Sequence, residues 1–254
     1  AAFERGIDAR TRLFILCNPH NPIGKVYTQD ELERLAEVCL RHDIVVCSDE
    51  IHADFVYDGC RHVPFAALSP EVADRTITLM SPAKTFNIAG IPFAFAVIPN
   101  AELRQKYESS GRGLVLHPGA LGFVAALAAF EHTDAWVDEL LRVLQAHRDL
   151  ALSFVRDRIP GVSMTPMHGT YLAWLDCREA AIKGSPYEFL LERARVATVD
   201  GALFGAGGEG FVRLNLACPE SQLREGLDRI RRAMTAHAEA RQCQRASLGG
   251  GAAS

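Results

Sequence analysis

Lysine is scarce in this chain of 254 residues, where only four of the 27 basic residues are lysines. No segment is basic enough to indicate nucleic-acid binding, and the net charge is −4. No apolar run reaches the ~18 residues that a membrane-spanning helix needs, so we expect no membrane association. No positively charged start followed by an apolar segment is present, so no signal peptide is predicted.

Cysteine pairing motifs are also missing. The seven cysteines are odd in number, and no two have C-x-x-C spacing. Most lie in apolar runs, which is typical of small buried thiols in a reducing compartment, so we expect a cytoplasmic protein. The apolar content of 48% and the charged content of 23% are those of a globular chain, and its length allows one or two domains.

The start of the chain has the pattern of a βαβ unit. The apolar run LFILC at 13–17 predicts a buried strand, and IVVCS at 44–48 predicts a second one. Between them, Thr28 and Glu31 have the spacing of a capping box, and a helical apolar face follows. Because these strands are apolar without alternation, we expect a parallel sheet that is covered on both faces.

Further strands and helices follow. The runs TITLM at 76–80 and FAFAVIP at 93–99 predict two more strands, and a helix is expected over 101–109. The segment ALGFVAALAAFEH is almost entirely apolar, which predicts a buried helix. The next helix ends at Pro160 and is long enough to cross between two domains.

The pattern changes after that long helix. GTYLAWLD and GFVRLNLA predict strands, SPYEFLLERA and the segment after Pro219 predict helices, and the combination suits a smaller α+β domain. We therefore predict a large domain over 1–145, which includes the start of the interdomain helix, and a small domain over 146–240. The remaining residues, 241–254, are predicted to form a disordered tail.

Polar side chains follow three of the predicted strands. Asn21 comes after the first strand, Asp49 after the second and Lys84 after the third. In open parallel sheets ligands bind outside the carboxyl ends of the strands, so an amide, a carboxylate and an amine would face one crevice. This combination suits pyridoxal 5'-phosphate: the amine condenses with the aldehyde, the carboxylate keeps the ring nitrogen protonated, and the amide donates to the ring hydroxyl.

Five motifs then point to a family. NPHNPIG, SDEIHADF, SPAKTFNIAG, GTYLAWLD and FVRLN resemble the fold-type I aminotransferases, and more narrowly the MalY/PatB branch of cystathionine β-lyases and C–S lyases. The resemblance runs from about residue 11 to about residue 235, in the family's order and spacing. It implies an α/β fold of the PLP-dependent transferase type: part of a mainly parallel sheet flanked by helices, followed by the smaller α+β domain.

The resemblance also implies roles for individual residues. Lys84 would form the Schiff base and act as acid and base at Cα, and Asp49 would pair with the pyridine nitrogen. Asn21 would contact the ring oxygen, and Ser81 would contact the phosphate. Arg213 would bind the substrate carboxylate, a role that suits a planar guanidinium able to grip two oxygens.

Several positions depart from the family pattern. His52, which we count among the cofactor-binding residues, stands where aminotransferases commonly have Tyr, as it does in the lyase branch. Ala83 replaces a Ser that often precedes the lysine, and Pro92 replaces an Arg that often holds the phosphate. Family members also carry a substantial N-terminal portion, including the loop that cradles the phosphate, which precedes the matched region and is absent here.

Structural roles are alternatives for these residues. Asn21 and Ser81 each precede a proline and could serve only their turns, and Arg213 could form an ion pair. His52 follows two carboxylates, but the spacing lacks the helical two-His pattern of a metal site, so we predict no metal.

The predicted activity, as the resemblance implies, is PLP-dependent β-elimination on sulfur-containing amino acids, which gives a thiol, pyruvate and ammonia. Two alternatives stay open. One is an aminotransferase, and the other is a non-enzymatic remnant or regulatory domain that keeps the fold without the pocket. The resemblance implies a small amino-acid substrate and a homodimer, and we expect neither nucleic acid nor a membrane as partner.

Overall fold

The computed structural model describes residues 2–115 and 117–249. The helices are α1 (Ala2–Arg5), α2 (Gln29–Arg41), α3 (Pro70–Asp74), α4 (Pro82–Thr85), α5 (Ala101–Gly111), α6 (Ala120–His132), α7 (Asp134–Arg158), α8 (Pro186–Phe189) and α9 (Glu220–Gly249). The strands are β1 (Leu13–Cys17), β2 (Val45–Asp49), β3 (Thr76–Met80), β4 (Phe95–Val97), β5 (Ser163–Met164), β6 (Leu172–Asp176), β7 (Val199–Asp200) and β8 (Phe211–Asn215). A π-helical turn, Leu190–Ala194, follows α8.

The described residues divide into two compact units. The first is built mainly from Lys25–Leu141, with the chain up to Asn21 and the segment His168–Thr170. The second is built mainly from Arg142–Met167 and the chain from Tyr171 onward. The division falls within α7, the same helix that contains the predicted boundary at residue 145.

The sheet of the first unit has the strand order β1-β2-β3-β4. The first three strands are parallel and β4 is antiparallel to β3, which confirms the prediction of a mainly parallel sheet. The register aligns Cys17 with Asp49 and Asp49 with Leu79, so the three parallel strands end side by side. The described residues do not cover both faces as expected, because Leu13 and Ile15 of β1 are 50% and 67% exposed.

The predicted βαβ unit is present. The hydroxyl of Thr28 accepts a hydrogen bond from the backbone N–H of Glu31 at 3.3 Å, and a Glu31 carboxylate oxygen accepts from the Thr28 N–H at 3.0 Å, so the capping box is complete. The buried face of α2 belongs to a core with both flanking strands. Its buried members are Leu16, Leu32, Ala36, Cys39, Ile44, Val46, Phe65 and Val72.

The prediction that α6 is buried is wrong. Leu121, Val124 and Leu127 are 76%, 66% and 59% exposed, whereas the buried positions of the helix include the small residues Gly122 and Ala126. Small side chains permit close approach, so the described chain covers the small side of α6 and leaves the large side open. An all-apolar helix sequence shows that burial would be favourable on every side, but it does not show which side this chain covers.

The second unit has an antiparallel sheet with the order β5-β6-β8-β7. Trp174 on β6 stacks on Phe211 of β8, with ring centroids 5.2 Å apart and planes 10° apart. Helix α9 contributes Leu223, Leu227 and Ile230 to the buried core. This is the α+β arrangement that the sequence predicts for the small domain.

The end of α9 corrects the prediction of a disordered tail. The helix continues to Gly249, so 241–249 are helical. The segment RQCQRA within this range contains mostly good helix formers, and an existing helix extends at little cost through such residues. Residues 250–254 lie outside the described part. Within that part, no helix is long and apolar enough to cross a membrane.

Candidate active site

The carboxyl ends of β1, β2 and β3 bring three of the predicted site residues to one edge of the sheet. Asp49 is the last residue of β2 and lies in register with Cys17 and Leu79, near the ends of the neighbouring strands. Asn21 follows the end of β1, and Lys84 lies in the short helix α4 after β3. All three residues therefore follow the carboxyl ends of neighbouring parallel strands, which is where ligands bind in open α/β sheets.

Lys84 is half-buried. Within the residues that the structure describes, its ammonium group forms neither an ion pair nor a hydrogen bond with a protein group. The neighbouring Thr85 is 2% exposed, and its hydroxyl donates to a carboxylate oxygen of Asp54 at 2.6 Å. This bond connects the loop after Asp49 to the helix that carries Lys84, so it helps to fix the amine relative to the carboxylate.

Asp49 accepts two hydrogen bonds from backbone N–H groups. Its carbonyl accepts a hydrogen bond from the Asn18 N–H at 3.0 Å, and one carboxylate oxygen accepts from the Ile51 N–H at 3.3 Å. Burial raises the pKa of the nearby Cys17 thiol, and the Asp49 carboxylate raises it further, whereas the backbone N–H of Asn21 lowers it. Cys17 therefore lies near both the Asp49 carboxylate and the backbone N–H of Asn21.

Ser81 caps α4. Its hydroxyl donates to the Phe93 carbonyl at 2.6 Å and accepts from the Ala83 N–H at 3.1 Å. The donor hydrogen of Ser81 therefore already has a protein acceptor. A phosphate contact by this hydroxyl would require it to leave the Phe93 carbonyl.

His52 is 2% exposed, and its ring packs against Phe55 with centroids 5.9 Å apart. In the described chain, no three His, Cys, Asp or Glu side chains converge in a way that could hold a metal ion. The position of His52 three residues after Asp49 places it beside the carboxylate along the chain, in a buried setting.

Arg213 belongs to the second unit, on β8, opposite Trp174 of β6. Its guanidinium carbon lies 5.0 Å from the centroid of the Phe204 ring. Partial burial lowers the pKa of Arg213 from its usual value, and the Tyr171 phenol acts in the opposite direction. The guanidinium of Arg213 is thus half-buried and packs over an aromatic ring.

The model of aminotransferase class I and II matches residues 1–230. The chain belongs to this family. Cystathionine β-lyase PatB of Bacillus subtilis is 37% identical over 90% of the chain, and protein MalY of Escherichia coli is 36% identical over 85%. Cystalysin of Treponema denticola, whose crystal structure contains a pyridoxal 5'-phosphate cofactor, superposes with a TM-score of 0.87 at 32% identity over 92% of the chain.

These similarities support the MalY/PatB branch of the aminotransferase class I and II family, as the motifs predict. The chain spans 59% of the length of PatB, 55% of MalY and 60% of cystalysin.

This member of the aminotransferase family also has polar residues near the site to which the sequence motifs give no role. Asp54 is one, because its partner Thr85 is 31 positions away and no local spacing reveals the bond. Glu50 is another: it is 2% exposed, and His62 donates to it from 12 positions away at 2.8 Å. A carboxylate next to an apolar strand was the available signal, since such a group needs a partner when it is buried.

Proposed function

We propose that this protein is a pyridoxal 5'-phosphate-dependent carbon–sulfur lyase. It would eliminate a thiol from sulfur-containing amino acids such as cystathionine and release pyruvate and ammonia. The observation that carries this proposal is the strand register, which aligns Asp49 with the ends of β1 and β3. Lys84 lies in the short helix that follows β3 at the same edge of the sheet. Relatives named cystathionine β-lyase support the reaction type.

The donor set fits the cofactor. Lys84 supplies a half-buried amine without a protein partner among the described residues, as an amine that condenses with an aldehyde requires. One carboxylate oxygen of Asp49 accepts from Ile51, and within the described chain the other has no donor, so it can accept from a protonated ring nitrogen. When bound, the cofactor supplies an electron-accepting ring that stabilises negative charge at Cα of the substrate.

Four residues of the chain have direct roles in the proposed reaction. Lys84 removes the proton from Cα and later holds it for return. Asp49 keeps a proton on the ring nitrogen through its negative charge, and the Asn21 amide orients the ring oxygen. Arg213 would bind the substrate carboxylate, because its planar guanidinium can grip two oxygens.

Two further residues are assigned to cofactor binding. Ser81 would contact the phosphate after its hydroxyl leaves the Phe93 carbonyl. His52, which is buried, would form part of the wall of the cofactor site beside Asp49. Elimination and amino transfer share proton removal by Lys84. In elimination the Cβ–S bond then breaks and the sulfur leaves as a thiolate that takes up a proton, whereas in amino transfer that bond stays intact and the proton is returned at a carbon other than Cα.

We also propose a cytoplasmic homodimer. All seven cysteines are free thiols, which supports a reducing compartment. A partner subunit would give the exposed apolar side chains of α6, such as Leu121 and Val124, a surface to pack against.

A product assay tests the proposal. The purified protein, loaded with pyridoxal 5'-phosphate, is given cystathionine, and pyruvate and ammonia are measured against amino transfer to a 2-oxo acid. We expect equal amounts of pyruvate and ammonia from the wild type and none above background from Lys84→Ala. Lys106→Ala, which removes only an exposed ion pair with Glu102, is the matched control and should keep full activity. Amino transfer without pyruvate would favour an aminotransferase, and absence of both would favour a domain without catalysis.

A further inference from the structure

We infer that Glu50 and His62 are positioning residues, which hold Asp49 and the loop carrying Asn21 in the geometry that cofactor binding needs. The inference rests on the proposed function, because it concerns the same site. It comes from a buried polar network beneath the strand ends. Four side chains form this network: Asn18, Ser48, Glu50 and His62.

Glu50 is the acceptor at the centre of the network. The hydroxyl of Ser48 and the backbone N–H of Phe65 donate to one of its oxygens at 2.8 and 3.0 Å. His62 Nε2 lies 2.8 Å from the other oxygen. Three donors are thus directed at a carboxylate that is 2% exposed, so both of its oxygens are satisfied by hydrogen bonds.

The direction of the hydrogen bond between Asn18 and His62 follows from one backbone contact. The N–H of Tyr27 donates to Asn18 Oδ1 at 3.1 Å, which fixes the orientation of that amide. The Asn18 NH₂ group then faces His62 Nδ1 at 3.5 Å, so Nδ1 is an acceptor and the ring proton lies on Nε2. We therefore assign His62 the tautomer with its proton on Nε2, which donates to Glu50.

The network is joined to the site through the backbone. The Asn18 N–H donates to the Asp49 carbonyl at 3.0 Å, and the Glu50 N–H donates to the Leu79 carbonyl at 3.1 Å. Asp49 is thus fixed from both sides by residues next to, or within, the network. Because Asn18 also bonds Tyr27, it closes the loop that contains Asn21.

Because each hydrogen bond in the network has a defined donor and acceptor, substitutions of nearly the same shape can test it. Glu50→Gln places an NH₂ donor among three donors, so His62 must move its proton to Nδ1, and Asn18 must turn its amide away from Tyr27. His62→Gln keeps one acceptor and one donor at similar spacing, so the direction of the chain is preserved. The first change should disturb both Asp49 and Asn21, and the second should not.

The first measurement uses the cofactor-free protein. Nitrogen-15 NMR should show the His62 proton on Nε2 in the wild type. The backbone amide signals of Asp49 and Asn21 should shift in Glu50→Gln and stay near their wild-type positions in His62→Gln. A His62 proton on Nδ1, or unshifted signals in Glu50→Gln, would overturn the inference whatever the cofactor does.

The second measurement is the dissociation constant of pyridoxal 5'-phosphate. We expect Glu50→Gln and His62→Leu to raise it roughly tenfold or more, the effect of losing a hydrogen bond to a charged group. His62→Gln should stay within about twofold of the wild type, and so should Glu37→Gln, which changes only an exposed carboxylate. If Glu50→Gln does not fold, Ser48→Ala removes one donor to Glu50 and should give a smaller increase in the same direction.

The outcomes separate the two proposals. Unchanged affinity in Glu50→Gln, Ser48→Ala and His62→Leu would overturn the positioning role. Failure of the wild type to bind the cofactor would instead overturn the proposed function, and the NMR comparison would still decide whether the network orients Asp49 and Asn21.

Discussion

The hydrogen bond between Thr85 and Asp54 predicts an unequal response to removing either partner. Thr85 is 2% exposed and Asp54 is exposed, so the two side chains have different alternatives when the bond is lost. In Thr85→Val, a methyl group replaces the hydroxyl and Asp54 turns to water, which should cost about 0.5–1.5 kcal/mol. In Asp54→Ala, the buried hydroxyl is left without its acceptor, which should cost about 1–3 kcal/mol.

A double mutant sharpens this prediction. Once Thr85 has become Val, no orphaned hydroxyl remains, so adding Asp54→Ala should cost little more. The double variant should therefore unfold at nearly the same urea concentration as Thr85→Val, so the coupling between the two sites should equal the cost of Asp54→Ala alone, about 1–3 kcal/mol. Asp54→Asn keeps an acceptor oxygen and should fall close to the wild type.

Urea unfolding followed by circular dichroism measures these differences, provided that the slope of the transition stays constant. Asp74→Ala, which changes another exposed carboxylate of the first unit, is the control and should shift the midpoint little. Additive effects of Thr85→Val and Asp54→Ala would refute the reasoning, because additivity means that the two side chains do not depend on each other. The cofactor affinity should fall in the same order as the stability, since this bond sets the position of Lys84.

Three further predictions concern other parts of the molecule. Asp49→Ala should retain some cofactor but lose roughly 10²-fold or more in turnover, the size of losing one preorganised electrostatic partner; unchanged turnover would remove Asp49 from the mechanism. Gly169→Ala should lower the thermal midpoint, because a Cβ atom there would lie 2.8 Å from the backbone oxygen of Phe55, and an unchanged midpoint would show that the segment can shift freely. In iodoacetamide labelling of the native protein at pH 8, exposed Cys243 should react first and Cys177 should not react, since burial raises the pKa of Cys177 to about 12 and its reactive thiolate forms only as the pH approaches that value. Equal rates for the two cysteines, read by mass spectrometry, would contradict the burial of Cys177.

Local signals predicted much of the fold. The apolar runs at 13–17 and 76–80 are strands with the expected bounds, and the Thr28–Glu31 spacing forms the expected capping box. These features depend on residues within a few positions of each other, so the local sequence is sufficient to predict them. The placement of Asp49 and Lys84 at strand ends follows from the same local patterns together with the parallel order of the sheet.

Features that depend on distant segments could not be read in this way. The exposure of Leu121 on α6 is decided by which surfaces the rest of the chain covers, and the helix sequence does not contain that information. The bond from Thr85 to Asp54 spans 31 positions, and the contact between His62 and Asn18 spans 44. Hydrophobic periodicity locates helices and strands, but it does not pair individual polar side chains across them.

The most direct test of the account is to identify the amine that carries the cofactor. Protein loaded with pyridoxal 5'-phosphate is reduced with borohydride, digested, and mapped by mass spectrometry over the chain's four lysines. The account predicts the label on the peptide that contains Lys84. A label on Lys25, Lys106 or Lys183, with Lys84 unmodified, would contradict it.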